Sequence, residues 1–329
     1  MASLALCLGV LFASETGRAS RSAPSERPIF RVTLLGTGNP RPSLDRFGPA
    51  MLVEAGDLRV LVDAGRGATE RLFQVDGGPL LRSTSTVLLT HLHSDHVVGL
   101  VDLWLTGWLF GRVTPIELVG PAGTRDMASN LVRAFAFDVR MRTIDEGLVP
   151  DGSRIEARDV TTGVVLRRGG LTVTAFAVAH GPVNPAFGYR LDFDGRSLVI
   201  SGDTTAIDTL VEHARGADVL VHEVVSPELT RQRSAVVDPA AIERIIARHA
   251  TPEDCGRLFA RIKPRLAVYS HIVPSVATAD DLVGPTRRAY DGPLAVGHDL
   301  MTITIGDRIE VGTRDIVSRV VGRRGSRPR

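Results

Sequence analysis

The hexapeptide HLHSDH, residues 91–96, gathers three of the chain's nine histidines and an aspartate within six positions. Just before it, TSTVLLT (84–90) ends an apolar run of β-type residues. Just after it, VVGLVDLWLTGWLF (97–110) has the length and composition of a buried helix. The cluster therefore falls on a loop between a strand and a helix, where α/β proteins commonly carry their chemistry.

Outward from this loop, the segments IFRVTLLG (29–36), AMLVEAG (50–56) and LRVLVDAG (58–65) alternate apolar residues between turn residues and predict strands. ATERLFQV (68–75) predicts a short helix, PIELVGP (115–121) a strand and TRDMASNLVRAFAFD (124–138) a helix. Strands are expected again over roughly 139–200: VRMRTID (139–145), LTVTAFAVAH (171–180), AFGYRLDFDG (186–195) and SLVISGD (197–203). VLVHEVV (219–225) and RLAVYSH (265–271) predict further strands, separated by helices over 238–249 and 251–263. The second of these helices opens with Thr251 as N-cap and Pro252 in its first position. A helix near 280–290 and a hairpin, LMTITIG/DRIEVG, close the pattern. Two strand-rich halves, each with its own helices, predict an α/β protein with two packed sheets and helices on the outer faces.

Composition bounds the rest. The chain has 329 residues, 43% hydrophobic and 23% charged, with a formal net charge of +2, so it can bury a sizeable core. One domain is expected over 29–315. Residues 1–28 hold an apolar core too short to span a membrane, followed by small residues and a polar linker. They have the outline of a signal peptide, which implies export, or a cytoplasmic location if the start is mis-assigned. No stable membrane span is expected elsewhere. The basic end GRRGSRPR within 316–329 is expected to be a flexible tail. The two cysteines, Cys7 and Cys255, imply no internal disulfide, and Cys255 is expected as a small buried residue in a helix.

Imidazole and carboxylate together suit zinc, manganese or iron, and nitrogen-rich sets favour zinc. On an extended loop alternate residues point the same way. His91 and His93 can thus face one ion while Asp95 and His96 turn toward a second. Further ligands are expected at strand ends. His180 ends LTVTAFAVAH, Asp203 follows SLVISG, and His271 ends RLAVYSH, so all three can converge on one sheet edge.

This ordered set resembles the metallo-β-lactamase-fold hydrolases. Asp63 in VLVDAG matches the family's first motif and HLHSDH its second; His180, Asp203 in SGDT and His271 match the remaining three. The resemblance covers roughly residues 30–312 and implies an αβ/βα sandwich with a dinuclear site on one sheet edge. It implies two divalent metal ions, zinc foremost: His91, His93 and His180 on one, Asp95, His96 and His271 on the other, and Asp203 between them. Asp63 would orient a ligand rather than bind metal. A pair of such ions activates a shared water for hydrolysis, with Asp95 placed to take its proton. The HE pair of VLVHEVV resembles a motif of ribonuclease Z and its relatives, which makes His222 the expected general acid and Glu223 its helper. His213, His249 and His298 match no motif and are expected to be structural. The loop LLGTGNPRPSLDRFGP (34–49) resembles the opening loop of the ribonuclease Z-like branch, with Arg41 or Arg46 facing substrate or simply fixing a turn.

Within that branch, only 23 residues separate His180 from Asp203, too few for the protruding arm by which ribonuclease Z grips transfer RNA. That spacing, the near-neutral charge and the expected export argue for a small-molecule ester substrate and no nucleic acid. The expected activity is arylsulfatase-like ester hydrolysis. The alternatives are a phosphodiesterase or lactonase, and a metal-binding module without catalysis. Trp104, Trp108, Phe110, Phe135 and Phe137 can be core or an aromatic wall, and the apolar helices near 100–137 would suit a homodimer.

Overall fold

The computed structural model describes residues 28–232 and 238–314; the leader (apart from Pro28) and the basic tail lie outside these residues. Two mixed sheets face each other. The first has eight strands, with Phe30–Gly36, Ala50–Ala55 and Leu58–Val62 at its centre and Thr86–Leu88, Ile116–Gly120 and Ile155–Asp159 added in parallel. The second has seven strands, with Arg196–Ile200, Val219–Val225 and Leu266–Val273 side by side and parallel. This is the αβ/βα sandwich.

The period-2 pattern decides which residues go where. Phe30, Val32 and Leu34 turn toward the space between the sheets, where they meet Val53, Val60, Tyr189, Leu198 and Val268. Leu52, Leu61 and Val87 turn the other way, against helices Ala68–Asp76 and Leu100–Leu109. Val199, Leu220 and Ala267 likewise pack on the outer helices of the second sheet, including Pro252–Ile262. Because both faces of each sheet are covered, the central strands carry almost no exposed positions. Among the described residues no helix is long and apolar enough to cross a membrane.

Local signals hold where they were strong. Thr251 accepts from the Asp254 amide at 3.2 Å and Asp254 reciprocates, a complete capping box on Pro252–Ile262. Cys255 is fully buried in that helix. Trp104 and Trp108 are core residues whose indoles donate to the carbonyls of Ser153 and Val149 at 2.9 and 2.8 Å.

One expected strand is a helix. VRMRTID belongs to Ala136–Asp145, which follows Thr124–Ala134 after a break at Phe135. Its alternating Val139 and Met141 imitate a strand, but Arg142 reaches Asp138 at 3.0 Å and Glu146 at 2.9 Å, one helical turn in each direction. Such pairs favour a helix that buries none of its residues.

Candidate metal centre

Strand ends and loops meet at one edge of the sandwich. His91 follows Thr86–Leu88, and the loop runs directly into the short helix Ser94–Val97, which carries Asp95 and His96. His180 lies beyond Leu171–Ala177, Asp203 beyond Arg196–Ile200, and His271 within Leu266–Val273. The turn before Asp203 requires glycine: Gly202 has φ 61°, and a Cβ there would sit 2.4 Å from the Phe187 carbonyl oxygen. Asp63 and His271 are held in the left-handed region at φ 59° and 42°, a conformation that packing must impose on such residues.

The seven residues converge. His93 Nδ1 lies 3.0 Å from His91 Nε2 and 3.2 Å from His180 Nε2. Asp203 Oδ2 sits at the middle, 3.4 Å from both His96 Nε2 and His271 Nε2, 3.7 Å from His180 Nε2 and 3.9 Å from His91 Nε2. Asp95 Oδ2 is 3.4 Å from His271 Nε2 and 3.7 Å from His96 Nε2. Two groups of donor atoms result, His91–His93–His180–Asp203 and Asp95–His96–His271. A third, Asp203–His249–His271, overlaps them.

The ring nitrogens turned away from the cluster are held by the protein. His180 Nδ1 donates to the Arg248 carbonyl at 3.2 Å, and His91 Nδ1 pairs with Thr90 Oγ1 at 3.0 Å. His96 Nδ1 lies 2.8 Å from Asp63 Oδ2, and Asp63 also accepts from the Thr90 amide at 2.8 Å. These contacts aim each remaining nitrogen at the cluster.

The donor set fits divalent metal. Tetrahedral coordination with metal–nitrogen bonds of about 2.0–2.1 Å sets ligand atoms about 3.3 Å apart, close to the separations among His91, His93 and His180. His96 Nε2 and Asp203 Oδ1 are buried without a hydrogen-bond partner, a costly arrangement for groups with no other role. Burial, reinforced by His96, pushes the His91 imidazole down to about 2, so it is neutral and able to ligate.

A cavity of about 270 Å³ opens over the cluster, lined by His93, Asp95, His180, Asp203 and His271 together with Asn39, Arg41, Arg248 and His249. None of the five aromatic residues considered in the sequence lines it.

His222 is not at this cavity. It is fully buried, its Nδ1 is taken by the Glu223 carbonyl at 2.6 Å, and it borders a separate cavity of about 20 Å³ behind the cluster. Glu223 does hold a histidine, but that histidine is His249. Glu223 Oε1 accepts from His249 Nδ1 at 3.0 Å, the Thr204 amide at 3.1 Å and the Ala250 amide at 3.2 Å. Burial pushes the His249 imidazole down, but the Glu223 carboxylate outweighs it and holds the group up at about 9. His249, expected from the sequence to be structural, lines the cavity. Its one signal was its position, two residues before the capped helix that begins at Pro252.

Of the two loop arginines, Arg46 is structural: its Nη1 donates to Thr37 Oγ1 at 2.8 Å and to the Gly297 carbonyl at 2.6 Å. Arg41 lines the cavity.

The sequence profile of the beta-lactamase superfamily domain matches residues 58–272. The chain is also 33% identical to a ribonuclease Z of Mycobacterium bovis over 285 residues, 85% of this chain and 100% of the relative. The chain is a ribonuclease Z-like member of the β-lactamase superfamily. Solved structures share the fold of this ribonuclease Z-like chain. The metallo-beta-lactamase fold protein YhfI of Bacillus subtilis superposes with a TM-score of 0.63 at 18% identity, covering 84% of this chain and 99% of its own. Human tRNase Z, short form, gives a TM-score of 0.61 at 22% identity, again covering 84% and 99%.

These relatives overturn the expectation of a partner set without nucleic acid. The curated relatives are named ribonuclease Z, not arylsulfatase. The missing arm does not separate the ribonuclease Z-like chain from them. An alignment of 285 residues that spans the whole M. bovis protein leaves no room there for a long arm that is absent here.

Proposed function

We propose that this chain is a dinuclear zinc-dependent phosphodiesterase that hydrolyses RNA. One observation carries the assignment: five of the seven convergent donor residues, His93, Asp95, His180, Asp203 and His271, border the same open cavity as a carboxylate-held histidine, His249. The 33% identity to ribonuclease Z supports RNA over a sulfate ester.

His91, His93 and His180 would hold one ion, Asp95, His96 and His271 the other, with Asp203 shared. Divalent metal there supplies Lewis-acid chemistry to a phosphoryl oxygen and makes water nucleophilic near neutral pH. The protein supplies the proton transfers. Burial pushes the Asp95 carboxyl up, but its His271 hydrogen bond and His96 outweigh this and hold it at about 2. Asp95 is therefore ionised, and its place at the cavity, rather than high basicity, is what lets it take the proton of the attacking water. His249 has Nδ1 committed to Glu223, which leaves Nε2 to give a proton to the departing oxygen. Glu223 stabilises the imidazolium until that proton leaves.

The test is a substrate panel on zinc-loaded full chain: an oligoribonucleotide, bis(p-nitrophenyl) phosphate and p-nitrophenyl sulfate. Chelator-sensitive hydrolysis of the two diesters, with about two zinc ions per chain, is expected. Turnover of the sulfate ester alone would overturn the assignment.

A further inference from the structure

Two arginines reach the cavity from different halves of the chain, and neither is explained by the fold. Arg41 lies on the loop after Phe30–Gly36. That loop is pinned to the strand bearing His271, because Asn39 donates to the Ile272 carbonyl at 3.0 Å and accepts from the Arg41 amide at 3.0 Å. Arg248 lies one residue before His249. Its stem crosses Gly181, where a Cβ would meet Arg248 Cγ at 2.8 Å, so the glycine beside His180 makes room for it. Both backbones are tied in place, yet among the described residues no carboxylate or other acceptor is within bonding distance of either guanidinium. Many arginines around the fold find partners, as Arg71 does with Asp299 at 2.9 Å and Arg190 with Asp192 at 2.9 Å; what sets Arg41 and Arg248 apart is their place at the cavity. Among the described residues the only carboxylates lining the cavity, Asp95 and Asp203, belong to the donor cluster. Two guanidiniums at the rim of this cavity, Arg41 exposed and Arg248 half-buried, are free to take an anion, and their planar forks match phosphate oxygens.

The rest of the cavity narrows the anion's identity. At about 270 Å³ it admits roughly one nucleotide unit and excludes a duplex. Among the described residues its remaining wall is Pro40, Thr230, Ile242, Ile245, Val273 and Pro274, mostly aliphatic and without Phe, Tyr or Trp. Such a wall gives a base a surface to lie against without reading its edges.

We propose that Arg41 and Arg248 are phosphate subsites flanking the reacting centre, gripping a single-stranded polynucleotide on both sides of the bond that is cut, with little preference for base. The proposal rests on the phosphodiesterase assignment above and adds the residues that select a polymer over an isolated diester.

Binding and turnover test it separately. First, chelated full chain is titrated with a fluorescent single-stranded oligoribonucleotide across a salt series. Each phosphate contact contributes about 0.7 to the slope of log affinity against log salt. Arg41→Ala and Arg248→Ala are each expected to flatten the slope by about that amount, and Arg248→Lys, which keeps the charge, to restore most of it. Second, zinc-loaded variants are compared on the oligonucleotide and on bis(p-nitrophenyl) phosphate, which has no flanking phosphate. The loss in kcat/KM is expected to be on the order of 10–100-fold larger on the oligonucleotide, the range of a hydrogen bond to a charged group. Metal content near that of wild type confirms that the cluster survives the substitution.

Unchanged salt slopes, or equal losses on both substrates, overturn the proposal while leaving the phosphodiesterase assignment intact. Wild type that hydrolyses neither diester overturns that assignment, and the salt slopes still decide whether the arginines hold phosphate.

Discussion

Glu223 and His249, 26 residues apart in sequence, meet at 3.0 Å, and the carboxylate turns the imidazole's second nitrogen toward the cavity over the His/Asp cluster. His222, the neighbour of Glu223 in sequence, lies buried against Phe259 and Cys255 instead. Of the sequence pair His222–Glu223, only Glu223 is bonded to a residue that lines the larger cavity.

The two histidines therefore separate in a leaving-group series. His249→Ala is expected to keep its metal and to lose on the order of 10²–10⁴-fold with poor leaving groups, but little with nitrophenolate. His222→Ala is expected to run parallel to wild type. Rates would be measured over aryl phosphodiesters of rising phenol pKa, with metal content alongside. Loss of metal in His249→Ala would instead place His249 among the ligands, in the Asp203–His249–His271 group.

Glu223→Gln removes the charge that outweighs burial and holds His249 up at about 9. The donor must be protonated to act, so its activity is lost as pH rises through its pKa. Lowering that pKa moves the alkaline limb of the kcat/KM profile to lower pH. An alkaline limb that stays in place would separate Glu223 from the proton donor.

Asp203→Ala removes the one oxygen that lies within 3.9 Å of His91, His96, His180 and His271. Both metal occupancy and rate are expected to fall together. Elemental analysis after dialysis at low zinc checks this, and full occupancy would rule out a shared position for Asp203.

Asp63→Asn keeps the shape but takes the carboxylate charge from the 2.8 Å contact with His96 Nδ1. Losing a carboxylate that orients a ligating histidine costs about 10–100-fold in metal affinity. Competition with a calibrated zinc chelator measures it, and affinity equal to wild type would mean Asp63 serves only the fold through Thr90.

Much of this protein is local, and the sequence alone determines it. The strands on which the sheets are built announce themselves by short-range alternation, because each residue's face depends only on its parity along the strand. The seven clustered residues sit in HLHSDH or at the ends of such strands, so their convergence on one edge follows once the strands are parallel. Thr251, Pro252 and Asp254 cap their helix from within four residues.

What only the tertiary structure decided depends on contacts between distant segments. Arg46 became structural because the Gly297 carbonyl, 251 residues away, accepts from it at 2.6 Å, while Arg41, five residues earlier, was left at the cavity. Residues 139–145 became helical, with ion pairs one turn apart, because the alternating pattern is only partly buried and no sheet takes it up. His249, not His222, stands at the cavity and meets the Glu223 carboxylate. Chain-folding brings these together across 26 residues, and no spacing within either segment records it.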